Sequence, residues 1–294
     1  MSVNFQVEEY HRPQSVGQAV DILSRFANSA GVIAGGTDIL PLRPGVQKID
    51  TIHHLVDISK LGLDYLKKET DHICIGAATS INTMGASPLF LSNPYGALSD
   101  AAGAHSTATI RNRATVGGNL CTASPCGDLA LPLLVLDAIL VAAGPEGERY
   151  IPIESFFRGA NFSALNKKEV LLEIRIPLCS QKTGTSFLKL RRHQTAIDMA
   201  VVNVATSFIC KKKRCEAAGI ALGAVAPIPF RAKRAESVLA GAKLSKEIIQ
   251  KAAATAAEEA KPIDDIRATS AYRKKIVAVL VRRSLENSMR RCGQ

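Results

Sequence analysis

Apolar residues recur at helical spacing near both ends of the chain. Val16, Ala19, Val20 and Leu23 fall on one face, and Ser15 followed by Gln18 supplies a capping box, so the pattern predicts a helix over 15–28. Ile276, Val277, Leu280, Val281, Leu285 and Met289 draw a second stripe, predicting a final helix over 270–290, with an alanine-rich helix over 245–261 before it. Between these ends the apolar runs are short. Single strands are predicted over 31–34, 55–58, 73–77 and 171–177, and a hairpin over 138–143 and 149–153 through Gly144-Pro145-Glu146-Gly147. Two longer strands, 200–210 and 215–225, flank the basic turn Lys211-Lys212-Lys213-Arg214. A small helix over 95–104 follows a loop from Pro88, and Ser124-Pro125 predicts a helix start that puts Asp128 in the first turn. The fold class is α+β, because strands come in runs and the helices gather at the end instead of alternating with them. The polar, breaker-rich stretch 179–184 marks a boundary between an N-terminal domain, 1–179, with subdomains of about 1–58 and 59–179, and a C-terminal domain, 185–290.

Two glycine-rich segments carry the candidate chemistry. Ala34-Gly35-Gly36-Thr37-Asp38 follows the strand over 31–34, and Thr115-Val116-Gly117-Gly118-Asn119 lies roughly eighty residues further on. A residue without a side chain lets peptide N–H groups converge on an anion. One such loop reads most simply as a turn; two together suggest a diphosphate held from both sides. Arg111 and Arg113 flank the second segment, where they either compensate the charge of a diphosphate or pin neighbouring carboxylates. Asp128 has two roles open to it, accepting hydrogen bonds from ligand hydroxyls or serving the helix dipole.

Composition narrows the classes. With 294 residues, 47% hydrophobic and 21% charged, the chain can bury a sizeable core. It has no Trp and only 5% aromatics, which argues against base-stacking surfaces and so against nucleic acid as a partner. The longest apolar stretch, 129–143, is interrupted by Pro132 and Asp137 and is too short to span a bilayer. The polar start has no apolar central region of the signal-peptide kind, so a cytoplasmic protein is expected, without membrane contact. Seven cysteines read as reduced thiols; Cys121 and Cys126 lack the further thiolates of an iron–sulfur site, and the six histidines show no ligand spacing, so no metal site is expected on this chain. Charge is uneven: residues 1–180 hold 14 Lys+Arg against 17 Asp+Glu, and residues 181–294 hold 23 against 9. The basic C-terminal third is either a docking face for an acidic partner or a solvated face. No dinucleotide fingerprint, P-loop, nucleophile elbow or H-E-x-x-H motif occurs, and no catalytic side chain is nominated.

Val32-Ile33-Ala34-Gly35-Gly36-Thr37-Asp38-Ile39-Leu40, the run from Ile110-Arg111-Asn112-Arg113-Ala114 through Thr115-Val116-Gly117-Gly118-Asn119-Leu120, then Ala123-Ser124-Pro125 and Asp128 together resemble the flavin subunit of the xanthine dehydrogenase family of molybdenum hydroxylases. Arg12-Pro13, Asp57-Ile58 and Ile75-Gly76-Ala77 fit the same order, so the similarity covers nearly the whole chain. The resemblance implies a two-part FAD-binding domain of the vanillyl-alcohol-oxidase type, followed by a CO-dehydrogenase-type flavoprotein domain of a small antiparallel sheet packed with helices. It implies FAD held by residues 32–39 and 115–119, by Asp128, and by positions corresponding to Leu171 and Lys189, with His105 near the flavin as a packing residue or a tuner of its potential. It further implies an oxidoreductase subunit in a heterooligomer, with [2Fe-2S] clusters and molybdopterin on partner subunits and NAD+ or another acceptor receiving the electrons. The family's usual glycine is replaced by Ser106 and its glutamine by Thr109, and its arginine is missing from His193-Gln194-Thr195-Ala196-Ile197-Asp198. Two alternatives are a stand-alone FAD-dependent reductase of the same fold and a basic module that binds polyanions or acidic proteins.

Overall fold

The computed structural model describes residues 7–40, 52–179, 182–193, 198–211 and 214–292. The chain starts with β1 (Glu9–His11), α1 (Val16–Arg25), β2 (Ala30–Ile33) and β3 (His54–Asp57), which form a three-stranded parallel sheet in the order β1-β3-β2. The expected cap at Ser15 is present, its Oγ accepting the Gln18 N–H at 3.2 Å. Gln18 Oε1 returns to the N–H of Gln14 at 2.8 Å, one residue upstream of the usual reciprocal bond. The helix stops at Arg25, short of the expected 28, where Phe26 turns out of helical conformation and stacks on His54 with ring centroids 3.8 Å apart. Ala19, Val20 and Leu23 are buried against Val56, Ile58 and Leu63. At the end of β3 the buried Asp57 carboxylate accepts from Tyr10 Oη at 2.7 Å, Arg12 Nε at 3.3 Å and Ser59 N at 2.9 Å. Burial alone would raise its pKa; these donors outweigh burial and hold it below the usual carboxylate value.

The second unit is built on a five-stranded sheet of β4 (Leu66–Lys68), β5 (His72–Gly76), β6 (Ile139–Gly144), β7 (Gly147–Pro152) and, after the two-stranded ribbon β8 (Phe157–Gly159) and β9 (Phe162–Ser163), β10 (Val170–Pro177). The order is β4-β5-β10-β6-β7, antiparallel throughout, with β10 at the centre. Five short helices belong to this unit, α2 (Ile81–Ala86), α3 (Gly96–Ala104), α4 (Ala108–Arg113), α5 (Val116–Cys121) and α6 (Ala130–Val135), and α5 packs on β5 and β10. Two expectations are corrected here. The segment after Thr115 is α5 and not a loop, because the Thr115 hydroxyl caps it through the Gly118 N–H. Ser124-Pro125 opens a turn, and the helix begins only at Ala130, so Asp128 precedes it and its carboxylate is drawn to side chains of other elements.

The C-terminal unit is a four-stranded antiparallel sheet, β11 (Thr183–Arg191), β12 (Ala200–Lys211), β13 (Arg214–Gly223) and β14 (Phe230–Arg231), in that order. Helices α7 (Lys233–Leu239), α8 (Lys246–Glu259) and α9 (Ser270–Arg291) pack on it. β11 begins inside the polar stretch expected to be a boundary, because Gly184 passes directly under α9: a Cβ there would lie 1.9 Å from the Ser288 carbonyl oxygen. Val277, Leu280, Val281 and Leu285 of the apolar stripe are buried as expected, and Ser284 and Ser288 are buried beside them, both hydrogen-bonded to the Thr206 hydroxyl at 2.8 and 2.6 Å. Lys212 and Lys213, the tip of the expected basic turn, lie outside the described residues. Among the described residues no helix is long and apolar enough to cross a membrane.

Arg273 anchors α9. Its guanidinium is buried and donates to the carbonyls of Val201 at 2.7 Å and Ala224 at 2.9 Å, and to Asp265 at 2.7 Å. Desolvation would raise the Asp265 pKa, yet the N–H groups of Arg267 and Ala268 and the Arg273 guanidinium bring it from 3.8 down to about 2. A folded value below the unfolded one means that this contribution is complete above about pH 4 and disappears as the pH falls toward 2. Asp265→Asn is therefore expected to lower stability at neutral pH by about 1–2 kcal/mol and to flatten the acid limb of the stability curve, read by urea denaturation from pH 7 to pH 2.5.

Candidate functional site

β2 delivers the first glycine segment at its C-terminal end, and that segment lies against the chain just before α5. A Cβ on Gly35 would sit 1.8 Å from the Arg113 carbonyl oxygen and 3.1 Å from Ala114 Cα, so only glycine admits this backbone contact. Gly36 has φ +74°, the left-handed region that glycine enters without strain. The N–H groups of Gly35, Gly36 and Thr37 donate to no other described residue. Thr122, at the end of α5, donates from its hydroxyl to Asp38 Oδ2 at 3.2 Å. The two segments, distant in sequence, therefore share one surface.

The second segment uses its amides differently. Val116 N–H donates to Thr79 O and Gly117 N–H to Ala77 O, both at 2.9 Å, and Gly118 N–H to Thr115 Oγ1 at 3.0 Å. Gly117 is required for contact with the end of β5, since its Cβ would lie 2.6 Å from Ala77 O. The sequence suggested amides converging from both segments; in the folded chain the uncommitted ones belong to the first. What α5 offers is a side chain, Asn119, whose Oδ1 is buried without a hydrogen-bond partner.

Asp128 sits at the meeting point of three elements. Its Oδ2 accepts from Lys189 Nζ of β11 at 2.7 Å and lies 3.2 Å from His105 Nδ1, at the end of α3; its Oδ1 accepts from Asn203 Nδ2 of β12 at 3.1 Å. Both ionic side chains of the Lys189–Asp128 pair are about 5% exposed. Lys189 also reaches the Ala104 carbonyl at 3.5 Å, and the Arg191 guanidinium bonds the same oxygen. Arg111 donates to the carbonyls of His105 and Ser106 at 3.1 and 2.9 Å, so its charge secures the turn after α3. Ser106 has φ 42°, which is the conformational reason a glycine suits this position. Asn203 and Arg191 were not singled out from sequence; an asparagine inside the apolar run Ala200-Val201-Val202-Asn203-Val204-Ala205 was the available signal.

The remaining expected residues occupy plainer positions. Val32 and Ile33 belong to β2, and Ile39 lies in the turn beyond it. Leu171 is buried in the core on β10, opposite Ala142, and it is the neighbouring Leu172 whose carbonyl accepts the Ala77 N–H at 2.8 Å. The seven cysteines are free thiols. Burial pushes Cys121 up to about 12, so it stands as a neutral thiol, and Cys126 Sγ lies 3.2 Å from Ser124 Oγ. Gln194 to Ile197, in the segment that lacks the family's arginine, lie outside the described residues.

Open amides, a buried acceptor and a desolvated carboxylate suit a ligand with both anionic and hydroxyl-bearing parts. A family model described as the FAD binding domain in molybdopterin dehydrogenase matches residues 3–179, and one for the CO dehydrogenase flavoprotein C-terminal domain matches residues 185–288. The chain thus belongs to the FAD-binding subunits of the molybdenum hydroxylases, a family of oxidoreductases. It is 32% identical to the carbon monoxide dehydrogenase medium chain of Hydrogenophaga pseudoflava, over 97% of this chain and 98% of that one. It is 26% identical to a putative xanthine dehydrogenase FAD-binding subunit of Escherichia coli, over 98% of each. A solved carbon monoxide dehydrogenase from H. pseudoflava superposes with a TM-score of 0.92 at 32% identity, covering 97% of this chain and 98% of that one. Quinoline 2-oxidoreductase from Pseudomonas putida 86 does so with 0.89 at 25% identity, covering 99% and 100%. The fold is that of the family, and its cofactor is FAD.

The glycines should separate by mutation. Gly35→Ala must displace backbone and is expected to cost about 2 kcal/mol or more, whereas Gly118→Ala meets only the Thr115 hydroxyl at 2.8 Å and gains helix propensity, so it should stay within about 1 kcal/mol of wild type. Thermal denaturation of the two variants measures the difference.

Proposed function

We propose that the chain is the FAD-carrying electron-transfer subunit of a multisubunit molybdenum hydroxylase in the cytoplasm. It receives electrons from [2Fe-2S] clusters on an iron–sulfur subunit, themselves reduced by a molybdopterin subunit, and passes them to NAD+ or another soluble acceptor. The observation that carries this reading is the shared surface of the two glycine segments beside the Asp128 cluster, on a chain whose relatives are medium chains of dehydrogenases.

The residues present fit the cofactor. Gly35, Gly36 and Thr37 offer N–H donors to the pyrophosphate, and Thr115 to Asn119 close the other side, where the unpartnered Asn119 Oδ1 accepts from a hydroxyl or amino group of the dinucleotide. Val32, Ile33, Ala34, Asp38 and Ile39 complete the first side, and Leu171 lends a strand backbone. Asp128 accepts from hydroxyls of the dinucleotide, held in place by the buried Lys189 ammonium at 2.7 Å. Bound FAD supplies the redox chemistry, moving electrons between one-electron and two-electron partners. The protein then needs to bind the flavin, set the charge around it through Lys189 and His105, and leave an edge open.

Asn119→Ala removes a buried polar contact without touching the Lys189 pair. One neutral hydrogen bond is worth about 0.5–1.5 kcal/mol, so FAD affinity is expected to fall roughly two- to tenfold. The measurement is flavin fluorescence on titrating FAD into the deflavinated chain. Wild-type affinity in both Asn119→Ala and Asp128→Asn would rule out this site. Copurification of iron and molybdenum subunits with the native protein tests the assembly; a flavoprotein that purifies alone and reduces a substrate by itself would point to a stand-alone reductase.

A further inference from the structure

The N-terminal sheet carries a second cluster of ligand side chains, away from the glycine segments. Glu9 and His11 are two residues apart on β1 and so project from one face, and His54 stands opposite Glu9 in the parallel register with β3. His11 Nε2 and His54 Nδ1 face one another at 3.2 Å, and Glu9 Oε2 is 3.7 Å from each. The point equidistant from atoms at those separations lies about 2 Å from all three, the length of a zinc bond to imidazole nitrogen or carboxylate oxygen. Both imidazoles are about 13% exposed, whereas the carboxylate is open to solvent.

We propose that Glu9, His11 and His54 form a binding site for a divalent transition-metal cation of the Zn2+ type. Three observations support it besides the spacing. The rings are held in place: His54 stacks on Phe26 at 3.8 Å, and His11 stacks on both Phe26 and His54 at 5.6 and 5.4 Å, so the nitrogens are oriented before any ion arrives. Two facing imidazole nitrogens at 3.2 Å can both turn lone pairs to one cation when each ring carries its proton on the far nitrogen. A surface cleft of about 380 Å³, lined by Glu9, His11, Asp21, Ile22, Arg25 and Phe26, leads to the cluster and leaves a fourth coordination position for water. Asp21 favours a cation there, and the Arg25 guanidinium, 5.2 Å over the Phe26 ring, opposes it. Two imidazoles with one carboxylate and an open position suit zinc or copper over magnesium or calcium. The bound ion clamps the edge strand β1 to β3, whose other neighbour, β2, runs into the first glycine segment.

The test is Zn2+ titration of the tag-free, FAD-loaded protein by calorimetry, with Co2+ in parallel so that its visible spectrum reports coordination number. Wild type is expected to take up one equivalent with micromolar or tighter affinity and to give the spectrum of a four-coordinate Co2+ site. Glu9→Gln and His11→Gln are each expected to weaken Zn2+ binding at least about tenfold, with unchanged FAD content and circular dichroism. His72→Gln, on β5, serves as the control and should leave affinity unaltered. Glu9 is exposed, so its variant keeps the test valid if replacement of a stacked histidine impairs folding. Failure of wild type to bind Zn2+ in the micromolar range, or wild-type affinity in Glu9→Gln, would overturn the proposal, and neither result bears on the flavin assignment.

Discussion

The Asp128 carboxylate is the constraint around which the FAD-binding and C-terminal units are joined. It lies in the turn before α6, yet its three partners come from α3's end, β11 and β12. A carboxylate removed from water costs several kcal/mol unless a counter-charge and hydrogen bonds replace the solvent. Lys189 supplies the charge and Asn203 a donor to the second oxygen. Each group can be buried only because the others are in place, so the turn, the end of α3 and the two strands are held in one arrangement. The Ala104 carbonyl, bonded by Lys189 and Arg191, extends the network into the helix.

A second constraint is steric. Gly35 against the Arg113 carbonyl and Gly117 against Ala77 bring three backbones closer than any side chain would allow. These contacts place the first segment's amides beside α5. The division of labour follows: the early N–H groups of α5 go to Thr79, Ala77 and Thr115, which fixes its position, while those of Gly35, Gly36 and Thr37 donate to no other described residue. Glycine serves close backbone packing in both segments, at Gly35 and at Gly117.

The N-terminal sheet shows how strand alternation can carry two chemistries on a short element. Tyr10, between Glu9 and His11 on β1, turns the other way and joins Arg12 and Ser59 around the buried Asp57, tying the strand ends together. The opposite side brings two histidines and a glutamate into contact under Phe26. The parallel register alone makes both clusters, since a shift of one residue would exchange the faces.

Much of the local structure was legible in the residues. Ser15 marked the first helix, the stripe from Ile276 to Leu285 marked the last, and Gly144-Pro145-Glu146-Gly147 marked the β6–β7 hairpin, because capping, helical period and turn chemistry act over a few residues. The motifs around Gly35-Gly36 and Gly117-Gly118 likewise pointed to the family and its cofactor. Long-range pairing was not legible in the same way. Thr115 reads as part of a loop until its hydroxyl is seen capping α5, and Asp128 reads as a ligand acceptor or a helix-start carboxylate, with nothing in the sequence to show that Lys189 and Asn203 meet it. His11 and His54 have no ligand spacing in the chain, and only the register of β1 on β3 makes them neighbours. The sequence by itself determined the capped first helix, the striped last helix, the β6–β7 hairpin and the glycine motifs; the tertiary structure decided that the segment after Thr115 is helical and which residues meet. The physical reason is that burial of charge and close backbone approach depend on partners tens of residues away, which no local pattern specifies.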